Sequence, residues 1–156
     1  MTAVAPQQLV TFRLGDDRFA VDIFAVERVL RFSTPAAVPK LPPWMDGVIE
    51  HAGRVVPVID LRSRLGMPRR APKPEQRIIV VGVGDDWLGV TVDSVHEVMA
   101  VAADEIAPPP PIFRGLDAEY LRGLVRHDGA LIIFLDVMRI LTSTEQLELS
   151  QATTRG

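Results

Sequence analysis

The residues of this chain that could do acid–base or metal chemistry are its three histidines and a set of aspartates beside turns. His51 with Asp60, and His127 with Asp136, recur at the same spacing, each histidine just before a turn. An imidazole and a carboxylate can share a zinc ion or pass a proton, but neither pair brings the third protein ligand of a catalytic zinc centre. The plainer reading is a solvated turn histidine in each place. Asp16-Asp17 and Asp85-Asp86 follow glycines, where aspartate is turn chemistry before it is a carboxylate dyad. His96-Glu97 lacks the second histidine of a zincin helix. Gly82, Gly84 and Gly89 lack the Gly-Lys-Ser/Thr ending of a phosphate loop. No Gly-x-Ser-x-Gly elbow is present, and no cysteine can act as a nucleophile. These residues predict no enzyme, no metal and no cofactor.

The elements that position them come as a repeat. Residues 9–31 resemble 78–100, with Gly15, Asp16, Asp17, Val21, Val26 and Val29 matching Gly84, Asp85, Asp86, Val90, Val95 and Val98. Residues 47–65 resemble 123–141, with Gly47, His51, Gly53, Asp60 and Leu65 matching Gly123, His127, Gly129, Asp136 and Leu141. Alternation at Val10, Phe12 and Leu14, the turn at Gly15–Asp17, and renewed alternation at Phe19, Val21 and Ile23 predict a hairpin with one face inward. Ile79, Val81 and Val83, then Leu88, Val90 and Val92, repeat it. Asp22 and Asp93 are placed to cap short helical turns. Val29-Leu30 and Val98-Met99 read as further strands. A second hairpin in each copy turns at Ala52-Gly53 or Asp128-Gly129. Pro57 puts its strand at an edge or a bulge, whereas Leu131–Val137 reads as more deeply buried. Pro35, Pro39, Pro42 and Pro43, then Pro68, Pro72 and Pro74, then Pro108–Pro111, act as semi-rigid joints. Ser143–Gln146 resembles a capping box opening a short helix over Glu145–Leu149. Short strands with Gly, Pro and Asp turns predict small barrels. The expected organisation is one domain over residues 8–150, built as 8–75 and 76–142, with a tail at 143–156.

Bulk properties narrow the function classes. The chain has 156 residues, is 47% hydrophobic and carries net charge −3. No apolar run reaches membrane-spanning length, and residues 1–8 lack a secretory pattern, so the expected location is the cytoplasm. Nucleic acid demands a basic stripe. The only basic cluster, Arg69, Arg70, Lys73 and Arg77, reads as a solvated linker. What remains is a binding module, with Trp44, Trp87, Phe113 and Tyr120 as aromatic candidates and Trp44 the most exposed of them.

Gly47-Val48-Ile49 followed by Gly53-x-x-x-Pro57-Val58-Ile59-Asp60-Leu61-Arg62 resembles the CheW-type chemotaxis coupling proteins. Phe12-x-Leu14-Gly15, Val21-Asp22-Ile23, Val92-Asp93-x-Val95-x-Glu97-Val98 and Tyr120-Leu121-x-Gly123-Leu124 follow in that family's order, over residues 8–150. The resemblance implies an all-β fold with short helices: two SH3-like five-stranded barrels side by side. It implies a stand-alone, non-enzymatic adaptor. Its partners would be the regulatory domain of a CheA-type histidine kinase and the cytoplasmic tip of a methyl-accepting chemoreceptor, docked at the groove between barrels, with arrays reached only through those partners. A kinase-binding spacer or competitor that meets no receptor is the alternative. The partner surface it implies comprises Val26, Arg28, Val29, Glu50, His51, Ala52, Arg62, Val95 and Glu97. Two departures stand in it. Glu50-His51-Ala52 replaces the family's Asn-Leu-Arg, and Arg28 stands where a glutamate is usual, with Glu27 one residue early. Such rewiring predicts a variant receptor or kinase, as in a non-flagellar pathway.

Overall fold

The computed structural model describes residues 6–108, 120–141, 145 and 147–151. The repeat sets the local structure. β1 (Gln7–Leu14) and β2 (Asp17–Asp22) form the first hairpin, and β6 (Arg77–Val83) and β7 (Asp86–Val92) its counterpart. Gly15 and Gly84 take the same φ of 62°, which the two-residue turns demand. β4 (Gly47–His51) with β5 (Arg54–Asp60), and β10 (Leu121–His127) with β11 (Ala130–Leu135), form the second hairpins. Both residues of the Ala52-Gly53 and Asp128-Gly129 turns have positive φ. β3 (Val26–Arg31) and β8 (Ser94–Val101) follow the first hairpins, and β9 (Ile106–Ala107) is a short addition.

Two curled sheets result, the arrangement of two SH3-like subdomains: β8-β1-β2-β11-β10-β9 and β3-β6-β7-β5-β4. They do not divide the chain into 8–75 and 76–142. Each copy's first hairpin is flanked by strands of the other copy: β1–β2 by β8 and β11, β6–β7 by β3 and β5. The exchange is reciprocal, and it covers both open edges of each hairpin. The sequence repeat therefore marks a unit of chain, while the sheet is assembled from both units.

Both faces of the first hairpins are buried, where alternation predicts one. Val10, Phe12 and Leu14 join Ile79, Val81 and Val83 in a core shared between the sheets. Leu9 faces the other way, into the curl of its own sheet with Met99, Val101 and Phe134. β5 runs between β7 and β4, so Pro57 is at neither an edge nor a bulge. Its opposite residue, Val48, spends its own N–H and C=O on Ala36, and pairing with β7 begins only at Val58. No ladder bond is lost to the missing N–H. Depth is also reversed: Val56–Ile59 are all buried in β5, while Leu131 in β11 is 47% exposed. Gly47 is required by packing, since a Cβ there would lie 2.5 Å from the Ala36 carbonyl oxygen. Helix is present at Glu145 and over 147–151, with Leu149 in the core. The rest of the expected capping box, Phe113 and most of Pro108–Pro111 lie outside the described residues.

Candidate functional site

β3 is an edge strand, and its residues fall into two classes. Val26 is half-buried against the core, Arg28 is exposed and Val29 is 38% exposed. Pairing with β6 shifts between Val26 and Arg28, so Glu27 is the extra residue of a bulge. β8 bulges at the equivalent place, around His96 and Glu97, where Thr11 Oγ1 donates to the Glu97 carbonyl at 2.9 Å and accepts from its N–H at 3.1 Å. Glu97 is exposed and Val95 half-buried. Glu97 also lines a cavity of about 360 Å3 with Thr11, Arg18 and His96.

The residue that sequence reasoning missed is Phe24. It sits on a short 3-10 turn, Ile23–Ala25, that Asp22 caps by accepting from the Phe24 N–H at 3.0 Å. The phenyl ring is 93% exposed. Ile23 and Ala25 on either side pack on the core, so the turn is anchored and the ring is presented outward. The available signal was a large apolar side chain at the one position of the hairpin exit that breaks the strand alternation.

Glu50, His51 and Ala52 lie on β4 and its turn, at the opposite edge of the same sheet from β3. Glu50 and Ala52 are exposed. The His51 ring is 5.6 Å from that of Trp87, and the Arg54 guanidinium lies 4.0 Å over the same indole. Trp87 and Trp44 are both half-buried, the latter donating from Nε1 to Glu148 at 2.7 Å. His51 pairs with Arg54 beside the turn, while Asp60 ends β5 beyond the Gly47–Val58 pair, so the hairpin's length separates them. His127 and Asp136 are parted likewise. The two aspartates cap turns instead: Asp60 accepts from Arg62 N–H at 3.1 Å and Asp136 from Met138 N–H at 3.0 Å. Burial pushes the Asp60 carboxyl above its ordinary range.

Arg62 is internal rather than part of a partner surface. It is 4% exposed, on the one-turn helix α1 (Leu61–Arg64). Its Nε donates to Asp93 Oδ1 at 2.8 Å, Nη2 to Asp93 Oδ2, and Nη1 to the Pro68 carbonyl at 3.0 Å. The Gly15 N–H adds a bond to Asp93 Oδ2 at 2.6 Å. These bonds explain why Asp93, unlike Asp22, caps no helical turn: its carboxylate is already engaged. The paired Arg62, and next the Gly15 N–H, hold the Asp93 carboxyl below its ordinary value, and Asp93 raises that of Arg62.

The nine expected residues therefore divide among two edges of one sheet, an edge of the other, and the interior. Among the described residues no helix is long and apolar enough to cross a membrane. A family model described as the CheW-like domain matches residues 8–145. A probable chemotaxis protein CheW of Rhizobium etli is 34% identical over 139 residues, covering 89% of this chain and 90% of that one. Protein FrzA of Myxococcus xanthus is 32% identical over 142 residues, covering 90% and 88%. The crystal structure of the scaffolding protein TtCheW from Thermoanaerobacter tengcongensis superposes with a TM-score of 0.81 at 31% identity, covering 90% of this chain and 97% of that one. With exchanged hairpins in two curled sheets and a family match over nearly its whole length, this chain belongs to the CheW-like domain family.

Proposed function

We propose that this protein is a non-enzymatic adaptor that couples chemoreceptors to a CheA-type histidine kinase in a chemosensory array. The observation that carries the reading is the likeness, over nine-tenths of the chain, to a structure described as a scaffolding protein. The surface we assign to docking is the turn and edge strand bearing Phe24, Arg28 and Val29, an apolar anchor beside a cation with no ion-pair partner among the described residues, on a strand at the end of its sheet. Glu50 and Ala52 supply a second, separate exposed patch. With Arg28 in place of the usual glutamate, the partner is a variant receptor or kinase of a non-flagellar pathway, whose docking face is acidic opposite Arg28. The test is a titration against the regulatory domain of a CheA kinase from the same cell, repeated with a receptor cytoplasmic fragment. A ternary complex is expected. Kinase binding alone would replace this reading with the spacer, and binding to neither would overturn both. Arg28→Glu should weaken the cognate receptor and favour an ordinary one; equal binding before and after the change would end the charge-rewiring part.

A further inference from the structure

The basic segment between the repeats borders a cleft. Arg70 and Lys73 line this cleft of about 150 Å3 together with Arg13 and Ser94. Lys73 is fixed there by a turn in which its N–H donates to Gln76 Oε1 at 3.3 Å and its carbonyl accepts from the Gln76 N–H at 3.1 Å. Gln76 itself is buried. Arg13 is a half-buried strand residue with no ion-pair partner among the described residues. Its Nε is sealed from solvent with no acceptor among them, and its cross-strand neighbour is another cation, Arg18. Like charges placed directly opposite on a hairpin destabilise it, and an unsatisfied buried donor adds to the cost. Two carboxylates line the cleft. Asp93 is engaged by Arg62, and Glu75 on the exposed segment is the remaining acid facing three cations.

We propose that this cleft binds a phosphate-type oxyanion, held between the terminal nitrogens of Arg13 and the side chains of Arg70 and Lys73. A guanidinium fork matches two oxygens of a tetrahedral anion, and a flexible ammonium adds a point charge. Anion binding would screen Arg13 from Arg18 and tie the linker to β1 and β8 of the sheet it crosses. The site is independent of the docking surface, so its failure would leave the adaptor reading standing.

The test uses the full chain and inorganic phosphate, with sodium chloride at equal ionic strength as reference. At ten times the Kd, phosphate should raise Tm by about 3–6 °C over chloride. Amide NMR shifts should concentrate at Arg13, Gly15, Gln76 and Ser94. The R70Q/K73Q variant, altered only on exposed residues, should fold normally and lose at least tenfold in affinity. R13Q should lose the response and melt no lower than the parent in chloride. A glycerol phosphate arm separates two sources: binding equal to or tighter than phosphate means a phosphate carried on a larger molecule, and weaker binding means the free ion. A phosphate response no larger than that of chloride, or one unchanged in R70Q/K73Q, would overturn the site.

Discussion

Two crossings carry the chain from one sheet to the other, and their chemistry is opposite. Where β7 passes into β8, Asp93 is clamped by Arg62 and by the Gly15 N–H of the facing hairpin. Where β2 passes into β3, the residues at the matching repeat positions are Phe24, Met138 and Gly84. Phe24 is 93% and Met138 45% exposed. A Cβ added at Gly15 would meet Arg62 Nη2 at 3.4 Å and Met67 Cε at 3.7 Å, whereas at Gly84 it would meet none of the described residues within 4 Å. Reciprocal exchange of hairpins thus creates the same joint twice. One copy is sealed by an ion pair and serves stability. The other carries apolar side chains turned outward.

The largest effect should come from breaking the sealed joint. Arg62→Met places the residue of the open joint into the closed one and strands Asp93. Loss of one member of a mostly buried pair costs about 3 kcal/mol, read from urea unfolding. A cost below about 1 kcal/mol would mean that the joint does not hold the sheets. R62M/D93F, which rewrites the joint in the residues of its counterpart, should recover part of the loss in a double-mutant cycle. The pH dependence follows from the direction of the Asp93 shift. Its folded carboxyl lies below the ordinary 3.8. Its stabilisation is therefore complete above that value and is lost as pH falls through the folded one. R62M should show a shallower loss of stability on the acid limb, and an unchanged limb would assign it to other carboxylates.

The open joint makes the complementary prediction, smaller in energy and visible only in binding. Phe24→Ala should change stability by no more than about 0.5 kcal/mol, because the ring is almost fully exposed. It should nevertheless weaken partner affinity about tenfold or more if the ring is an anchor. Unchanged affinity in the ternary titration would remove Phe24 from the docking surface. A large stability loss would show that the joint is closed in solution and that the two crossings are alike.

Much of this was legible in the sequence, for reasons that also explain what was not. Turn residues have local causes, so the Gly15, Gly53, Gly84 and Gly129 turns and their flanking strands could be read from neighbours alone. Which strands pair across copies is a long-range matter. Identical registers at β1–β2 and β6–β7 support contiguous halves as well as exchanged ones, and the pairs made between copies, β1–β8 and β2–β11 in one sheet and β3–β6 and β5–β7 in the other, decide it. Arg62 illustrates the same limit. Its motif marks a position, but an exposed arginine and one sealed by Asp93 from the other copy share that motif. Phe24 was passed over because a large apolar residue is ranked as core by default, and its break from the strand alternation was the one local sign that it points outward.

The smallest prediction concerns the second hairpins, where the comparison can be tested on one backbone geometry. Ala52 and Asp128 occupy matching turn positions with φ of 50° and 49°. Aspartate and asparagine tolerate that left-handed conformation because their short polar side chains bond the nearby backbone, whereas alanine pays roughly 1–2 kcal/mol for it. Ala52→Asn should therefore raise stability by about 0.5–1 kcal/mol, seen as a Tm increase of about 1–4 °C. Glycine should gain less, because it loosens the unfolded chain as well. The substitution also separates structure from function at the patch around Glu50. If A52N stabilises the chain and leaves partner affinity intact, the alanine is a tolerated local strain, and the first copy differs from the second at this turn only in folding energy. If it stabilises the chain but weakens binding, the small side chain is what lets a partner approach β4, and the strain is retained for contact.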